Sequence, residues 1–132
     1  MSKDIGHFSL WGDFEVEEIT YLLGMQPSWV MRKGEVLEGA SAPSTGSTWD
    51  LHCPPDCESI QEQIKSLLDV LWRKADVLKP LASKFHADLN VVGSCDGGST
   101  VLSIDREMLQ KIAALNLTLN FFYICDGDTN GH

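Results

Sequence analysis

The most reactive group of side chains in the sequence is the stretch His52-Cys53-Pro54-Pro55-Asp56-Cys57. Histidine and cysteine are the usual zinc ligands, and a structural zinc ion requires four ligands in tetrahedral geometry. The C-x3-C spacing differs from the usual C-x2-C knuckle, and the other two cysteines, Cys95 and Cys125, lie far along the chain. We therefore expect reduced thiols, with no metal and no cofactor.

A second candidate metal motif ends the sequence. Asp126, Asp128, Asn130 and Gly131 match D-x-D-x-N-G, the opening half of an EF-hand calcium loop. A working loop needs a helix on each side and a bidentate glutamate at its twelfth position. Here a predicted strand precedes the motif and only seven loop positions are present. We therefore expect residues 126–132 to form a polar tail after a single domain of residues 1–125.

Catalytic chemistry is not indicated by the remaining motifs. A cysteine or serine nucleophile requires a neighbouring base, but His52 and Cys53 are adjacent on a predicted strand and would point to opposite faces. The sequence contains no G-x-S-x-G elbow, P-loop or G-x-G-x-x-G motif. We therefore expect a binding protein rather than an enzyme.

The charge of the chain is concentrated in its first half. The formal net charge is −9, and residues 4–64 contain eleven acidic and two basic residues. Such a field repels nucleic acid and anionic membranes and steers basic proteins. The alternative is a solvated surface that only maintains solubility. The acidic residues that we expect to contact a basic partner, such as a toxin or a nuclease, are Glu15, Glu17, Glu18, Glu35, Glu38 and Asp50.

A second candidate site combines two tryptophans and an arginine. Trp29 and Trp49 lie on predicted strands that we expect to be neighbours, and Arg32 follows the first of them. A guanidinium can lie over an indole ring, so these three side chains could form a pocket for a small ligand. The protein would then be a ligand-binding domain or a minor enzyme. The alternative is ordinary core packing of the aromatic rings.

Length and composition are those of one globular domain. The chain has 132 residues, of which 43% are hydrophobic. The first residues lack a basic segment followed by an apolar one, and no apolar run approaches the length of a membrane span. We therefore expect a cytoplasmic protein. The sequence does not predict its oligomeric state, and a purely structural role as an oligomerisation module is a further alternative.

The hydrophobic pattern predicts the elements that would position these residues. Strands are expected at residues 7–11, 29–31, 48–52, 87–91, 101–104 and 117–125, and helices at residues 14–23, 60–78 and from a cap at Asp105 to Leu115. Pro80 should end or kink the long helix, and Gly24 and Asn116 should adopt left-handed conformations at helix ends. Asp96-Gly97-Gly98 predicts a hairpin turn. The last strand is apolar on both faces, which favours a central place in the sheet.

The predicted order is therefore β-α-β-β-α-β-β-α-β. It indicates a two-layer α+β sandwich with a mostly antiparallel sheet covered on one face, similar to ferredoxin-like domains.

The order of several short motifs also resembles one bacterial family. They are F8-S9-L10, G12-D13-F14, E17-E18-I19, L22-L23-G24-M25-Q26-P27-S28, W29-V30-M31-R32-K33-G34-E35 and S47-T48-W49-D50-L51. Together with the later leucine-rich helix and aromatic last strand, they are similar to domain of unknown function 4279. That family offers no catalytic residues to transfer. Some of its members resemble immunity proteins, which implies an inhibitory binding role, and the polar tail after Cys125 departs from the family pattern.

Overall fold

The computed structural model describes residues 5–36, 38–39, 41–53, 59–94 and 103–124. Five strands and four helices are formed within these residues. They are β1 (Ile5–Gly12), α1 (Val16–Leu23), β2 (Trp29–Met31), β3 (Ser47–His52), α2 (Ile60–Trp72), α3 (Ala75–Lys84), β4 (His86–Ser94), α4 (Arg106–Ala114) and β5 (Thr118–Ile124).

The five strands form one open sheet in the order β2-β3-β1-β4-β5. The pairs β2–β3, β3–β1 and β1–β4 are antiparallel, whereas β4–β5 is parallel. The first four strands and their helices have the order β-α-β-β-α-α-β, which is the β-α-β-β-α-β order of a ferredoxin-like domain with its second helix divided in two. Helix α4 then leads to an added fifth strand. The predicted α+β fold with a mostly antiparallel sheet is confirmed.

The helices pack on one face of the sheet and enclose one hydrophobic core. Leu10 on β1 and Trp49 on β3 are fully buried on that face. The Trp49 Nε1–H donates a hydrogen bond of 3.0 Å to Thr20 Oγ1, which fixes the indole against α1. Every helix contributes buried side chains to the same cluster, among them Ile19, Ile64, Leu78 and Ile112.

Local capping chemistry explains where the helices begin and end. Ser59 and Asp105 cap α2 and α4, because their side chains accept hydrogen bonds from the N–H groups of Glu62 and Met108. Gly24 ends α1 with a φ of 69°, and Asn116 follows α4 with a φ of 60°. The predicted left-handed residues are confirmed, as these two types tolerate that conformation.

The predicted long helix is divided in two. Helix α2 ends at Trp72, the chain turns at Lys74, and a new helix begins at Ala75. Pro80 lies inside α3, so the prediction that it ends the helix was wrong, while a kink at Pro80 stays a prediction. Because the break at Lys74 changes the direction of the chain, α3 places Leu78 and Leu81 in the core next to β4.

The second half of the sheet also differs from the prediction. Strand β5 lies at an edge, beside β4 alone, rather than at the centre. Phe121 and Phe122 point to opposite faces there and are 47% and 51% exposed, which explains an apolar pattern on both faces without a central position. Ser103 and Ile104 are in no strand. Residues 101–102 and the predicted hairpin at 96–98 lie outside the described residues.

The described part of the chain contains no helix that is long and apolar enough to cross a membrane. The predicted polar tail at residues 126–132 lies outside the described residues, so that prediction stays a prediction.

Candidate functional site

The face of the sheet opposite the helices is the candidate functional site. Strand alternation places one set of side chains on this open face, and none of those that the structure describes belongs to lysine or arginine. The described side chains of the open face are Ile5, His7, Ser9, Trp11, Trp29, Met31, Thr48, Asp50, His52, His86, Asp88, Asn90, Val92, Thr118, Asn120 and Phe122.

Large aromatic side chains are exposed on the open face. Trp11 is 42% exposed and Trp29 is 45% exposed. The Trp11 ring lies 5.8 Å from the ring of His86 and is tilted by 40° to it, so one side of the face carries two aromatic groups in contact. Exposed tryptophans beside polar groups are typical of binding surfaces, since indole offers a large apolar area and one hydrogen-bond donor.

A groove of about 390 Å³ crosses the open face near β2. We call it the Trp29 groove. Its walls combine apolar, aromatic and ionisable side chains. They are Ile5, His7, Ser28, Trp29, Asp50, His52 and Val92. Strand register explains the convergence, because Trp29 pairs with Asp50, His7 pairs with His52 and Ile5 pairs with Val92.

A hydrogen-bonded row of side chains fixes His7 in the groove wall. Asn120 Nδ2 donates to Asn90 Oδ1 at 3.0 Å, and Asn90 Nδ2 lies 3.3 Å from His7 Nε2. If the Asn90 amide nitrogen donates, His7 Nε2 is an acceptor and the ring is neutral with its proton on Nδ1. Burial lowers the pKa of His7, and His52 lowers it further, whereas Asp50 raises it. The lowered pKa agrees with a neutral ring at neutral pH.

Asp50 supplies the negative charge of the groove. Its Oδ1 atom is buried and accepts no hydrogen bond from any described residue. Its nearest ionisable neighbours on the face are His7 and His52, and no lysine or arginine shares that face among the described side chains. A buried side-chain oxygen without a hydrogen-bond partner is uncommon in folded proteins, so its presence here favours a role beyond folding.

The lowered pKa of His7 predicts a pH-dependent stability. The unfolded chain titrates this histidine near its usual pKa of 6.5, and the folded protein titrates it at a lower pH. Between these values the unfolded state binds more protons, so the free energy of unfolding falls as the pH drops below 6.5.

Substituting His7→Gln should therefore reduce this loss of stability, since glutamine does not titrate. Urea denaturation at about pH 7.5 and about pH 5 would measure it. Equal pH dependence in the variant and the wild type would contradict the burial of His7. Asp50 and His52 from β3 face position 7 and are present in both proteins, while Asn90 from β4 does not titrate.

The predicted pocket of Trp29, Arg32 and Trp49 is not assembled in one place. Trp49 is fully buried on the helix face, whereas Trp29 lies on the open face. Arg32 follows β2 and bonds Glu17 of α1. The two tryptophans therefore do not stack, because the sheet itself separates them. Of the three residues, only Trp29 lines a groove.

The predicted acidic residues fall into two groups. Five of them are exposed on α1 and in the segment after β2, and we call them the α1 acidic surface: Glu15, Glu17, Glu18, Glu35 and Glu38. Glu17 bonds the guanidinium of Arg32, and Glu35 Oε1 accepts the Arg32 backbone N–H at 2.8 Å. Asp50 belongs instead to the Trp29 groove.

Charge pairing leaves the α1 acidic surface negative. The hydrogen bond to Glu17 raises the pKa of Arg32 most, and the charges of Glu17, Glu35 and Glu15 raise it further. The hydrogen bond from Arg32 lowers the pKa of Glu17. One cation among three anions leaves an excess negative charge, and Glu18 lies exposed beside them in the first turn of α1.

Metal binding finds no support among the residues that the structure describes. No group of three histidine, cysteine, aspartate or glutamate side chains in those residues is arranged to hold a metal ion. Cys53 is half-buried against the core. Cys57, Cys95 and Cys125 lie outside the described residues, so the predicted absence of zinc stays a prediction.

A second cavity, of about 290 Å³, lies between α2 and α4. Three of its charged side chains pair with each other, since Lys111 Nζ lies 3.3 Å from Asp69 and 3.6 Å from Glu107. Lys111 also lies 5.9 Å from the centre of the Trp72 ring. These pairings, and the role of Asp105 as a helix cap, account for most of the charged groups of the cavity, which makes it a weaker candidate than the Trp29 groove.

The fold and the site together define a two-layer α+β domain in which, among the described residues, one sheet face lies away from the helices and carries no lysine or arginine. The chain belongs to the family described as Domain of unknown function (DUF4279), whose model matches residues 5–126. The resemblance seen in the motifs is confirmed to that extent. No curated protein and no solved structure matches the chain significantly.

Sequence reasoning missed the Trp29 groove, although part of its signal was visible. Alternation in His7-Phe8-Ser9-Leu10-Trp11 places His7 opposite the core residues, and alternation in β3 places Asp50 opposite Trp49. The missing information was the strand order, which brings four distant segments of the chain together. Asn90 and Asn120 could not be linked to His7 without that order.

Proposed function

We propose that the protein is a non-catalytic binding module of inhibitory or immunity type that docks on a basic protein and occludes it. The single observation that carries the proposal is the excess of carboxylates on the α1 acidic surface, where Arg32 meets Glu15, Glu17 and Glu35 together. A basic toxin or nuclease is the natural target, since proteins that bind nucleic acid present cationic grooves. The resemblance of some family members to immunity proteins supports the same direction.

Charge complementarity of this kind acts mainly on the rate of encounter. Exposed carboxylates attract a basic protein over distances near the Debye length, about 8 Å at physiological salt. Anchor side chains then hold the complex, and exposed aromatic residues usually fill that role. Trp29 is such a residue, at 45% exposure on an edge strand.

Reversing one charge on the α1 acidic surface should slow association. For Glu18→Lys we expect a fall of about threefold to tenfold in the association rate constant at low salt, with little change in dissociation. The partner would first be captured on immobilised protein from cells that make the chain naturally, and then purified. Stopped-flow mixing or surface plasmon resonance would give both rate constants.

The matched control is Asp76→Lys. Asp76 is also an exposed acid in the first turn of a helix, but it lies on α3. The two substitutions change the net charge equally, but we expect only Glu18→Lys to lower the association rate constant. Equal slowing by both variants would contradict a specific acidic surface, and an acidic partner would contradict the proposal as a whole.

A second candidate function, small-ligand binding, is favoured by the volume of the Trp29 groove. A ligand that binds only the native state raises the melting temperature. A thermal-shift screen with metabolites would therefore separate the candidates, since stabilisation by a metabolite but by no protein would favour the pocket.

A further inference from the structure

The Trp29 groove has the chemistry of a receptor for a guanidinium group, and we propose that it takes an arginine side chain of the basic partner. This inference rests on the proposed function for the source of the arginine, but its chemistry can be tested without the partner. It assigns a ligand class to the open face, which lies on the other side of the sheet from α1.

The groove offers each part of an arginine side chain a suitable surface. A guanidinium is planar and stacks on an indole face, which Trp29 presents at 45% exposure. The aliphatic stem of arginine packs on apolar groups, and Ile5 and Val92 line the same groove. Asp50 pairs with Trp29 across β2 and β3, so the two side chains leave neighbouring positions on the same face, and both line the groove.

The electrostatics of the groove favour a cation. Asp50 is the carboxylate among the lining residues, and one of its oxygens is buried without a hydrogen bond from the described residues. Charges interact more strongly in a half-buried groove than in bulk water. No described lysine or arginine of the open face competes for this carboxylate.

The histidines of the groove sharpen this preference. Burial keeps the His7 ring neutral at neutral pH, where it does not oppose an entering cation. In acid, protonation of His7 places a positive charge beside Asp50 and repels the guanidinium. The ionisable groups that face His7 are Asp50 and His52, both on β3. We therefore expect arginine binding to weaken as the pH falls below 6.5, the usual pKa of histidine, towards the lower pKa of His7 in the folded protein.

The test uses a capped tripeptide, acetyl-Gly-Arg-Gly-amide, and the same peptide with citrulline, which keeps the shape and lacks the charge. NMR titration of the whole protein would follow the Trp29 indole N–H and the Asp50 amide. We expect saturable shifts with the arginine peptide and at least about tenfold weaker binding of the citrulline peptide, since a charge-assisted contact is lost.

Variants locate the contact. Asp50→Asn should weaken arginine-peptide binding by about tenfold. Asp88→Asn is the matched control, because Asp88 is a half-buried carboxylate of the same face outside the groove. We expect Asp88→Asn to bind within about twofold of the wild type. Equal affinity for both peptides, or unchanged affinity of Asp50→Asn, would overturn the inference.

A third arm identifies the source of the guanidinium. Free arginine carries an additional ammonium and carboxylate, so tighter binding of free arginine than of the capped peptide would overturn the assignment to a protein side chain. A captured partner that binds Asp50→Asn normally would overturn the inference and leave the proposed function intact. If the arginine peptide binds in the NMR titration but the capture experiment yields no basic partner, the proposed function is rejected and the chemistry assigned to the groove stands.

Discussion

Replacing Trp49 by alanine is expected to lower the free energy of unfolding by about 3–5 kcal/mol. Trp49 is fully buried, lies edge-on to Phe8 with ring centroids 6.2 Å apart, and donates a hydrogen bond to Thr20. The variant loses the apolar contacts of the indole, and Thr20 loses its partner. Because ordinary domains are stable by about 5–15 kcal/mol, such a loss would bring the protein close to unfolding.

The matched variant is Trp29→Ala, since the two tryptophans lie on adjacent strands. Trp29 is exposed on the open face, so we expect its removal to change stability by no more than about 0.5 kcal/mol. Urea denaturation of both variants measures the difference. Similar losses of unfolding free energy in the two variants would contradict the placement of the tryptophans on opposite faces. They would also remove the basis for Trp29 as an exposed residue that holds a partner.

The second large effect concerns Asp50, where we expect stability and binding to change in opposite directions. At neutral pH, Asp50→Asn should leave the free energy of unfolding unchanged or raise it by up to about 1 kcal/mol. The substitution removes a charge from a partly buried position while His7 is neutral, so no ion pair is lost. The same substitution should cost about tenfold in arginine-peptide affinity.

This opposition distinguishes a functional residue from a structural one. Residues retained for binding often reduce stability, and their replacement then stabilises the fold. A loss of more than about 1 kcal/mol in Asp50→Asn would indicate that the carboxylate supports the sheet, and a fall in affinity would then reflect a disturbed groove. Asp88→Asn, measured in parallel, controls for removal of a carboxylate from the same face.

Much of the helix layer could be predicted from the sequence, because its signals are local. Ser59, Asp105 and Gly24 mark helix boundaries through hydrogen bonds and backbone angles that involve only nearby residues. The break at Lys74 could not be predicted in this way. The apolar spacing continues across it without interruption, and only the packing of α3 beside β4 requires a turn there.

The open face was harder to predict, because it depends on which strands are neighbours. The alternation of Trp49 with Asp50 already places them on opposite faces of β3, yet the pairing of Trp29 with Asp50 follows only from strand register. The same limit applies to β5. Exposed apolar residues at a sheet edge, such as Phe122, have the same sequence pattern as residues of a buried central strand.

The most direct test of docking through these surfaces is an amide hydrogen-exchange map of the complex with the captured basic partner. Slower exchange is expected on binding in α1, near Glu18, and in the edge strand β2, which carries Trp29 beside the groove. Protection confined to α2 and α4, around the second cavity, would contradict both the acidic surface and the groove as contact regions.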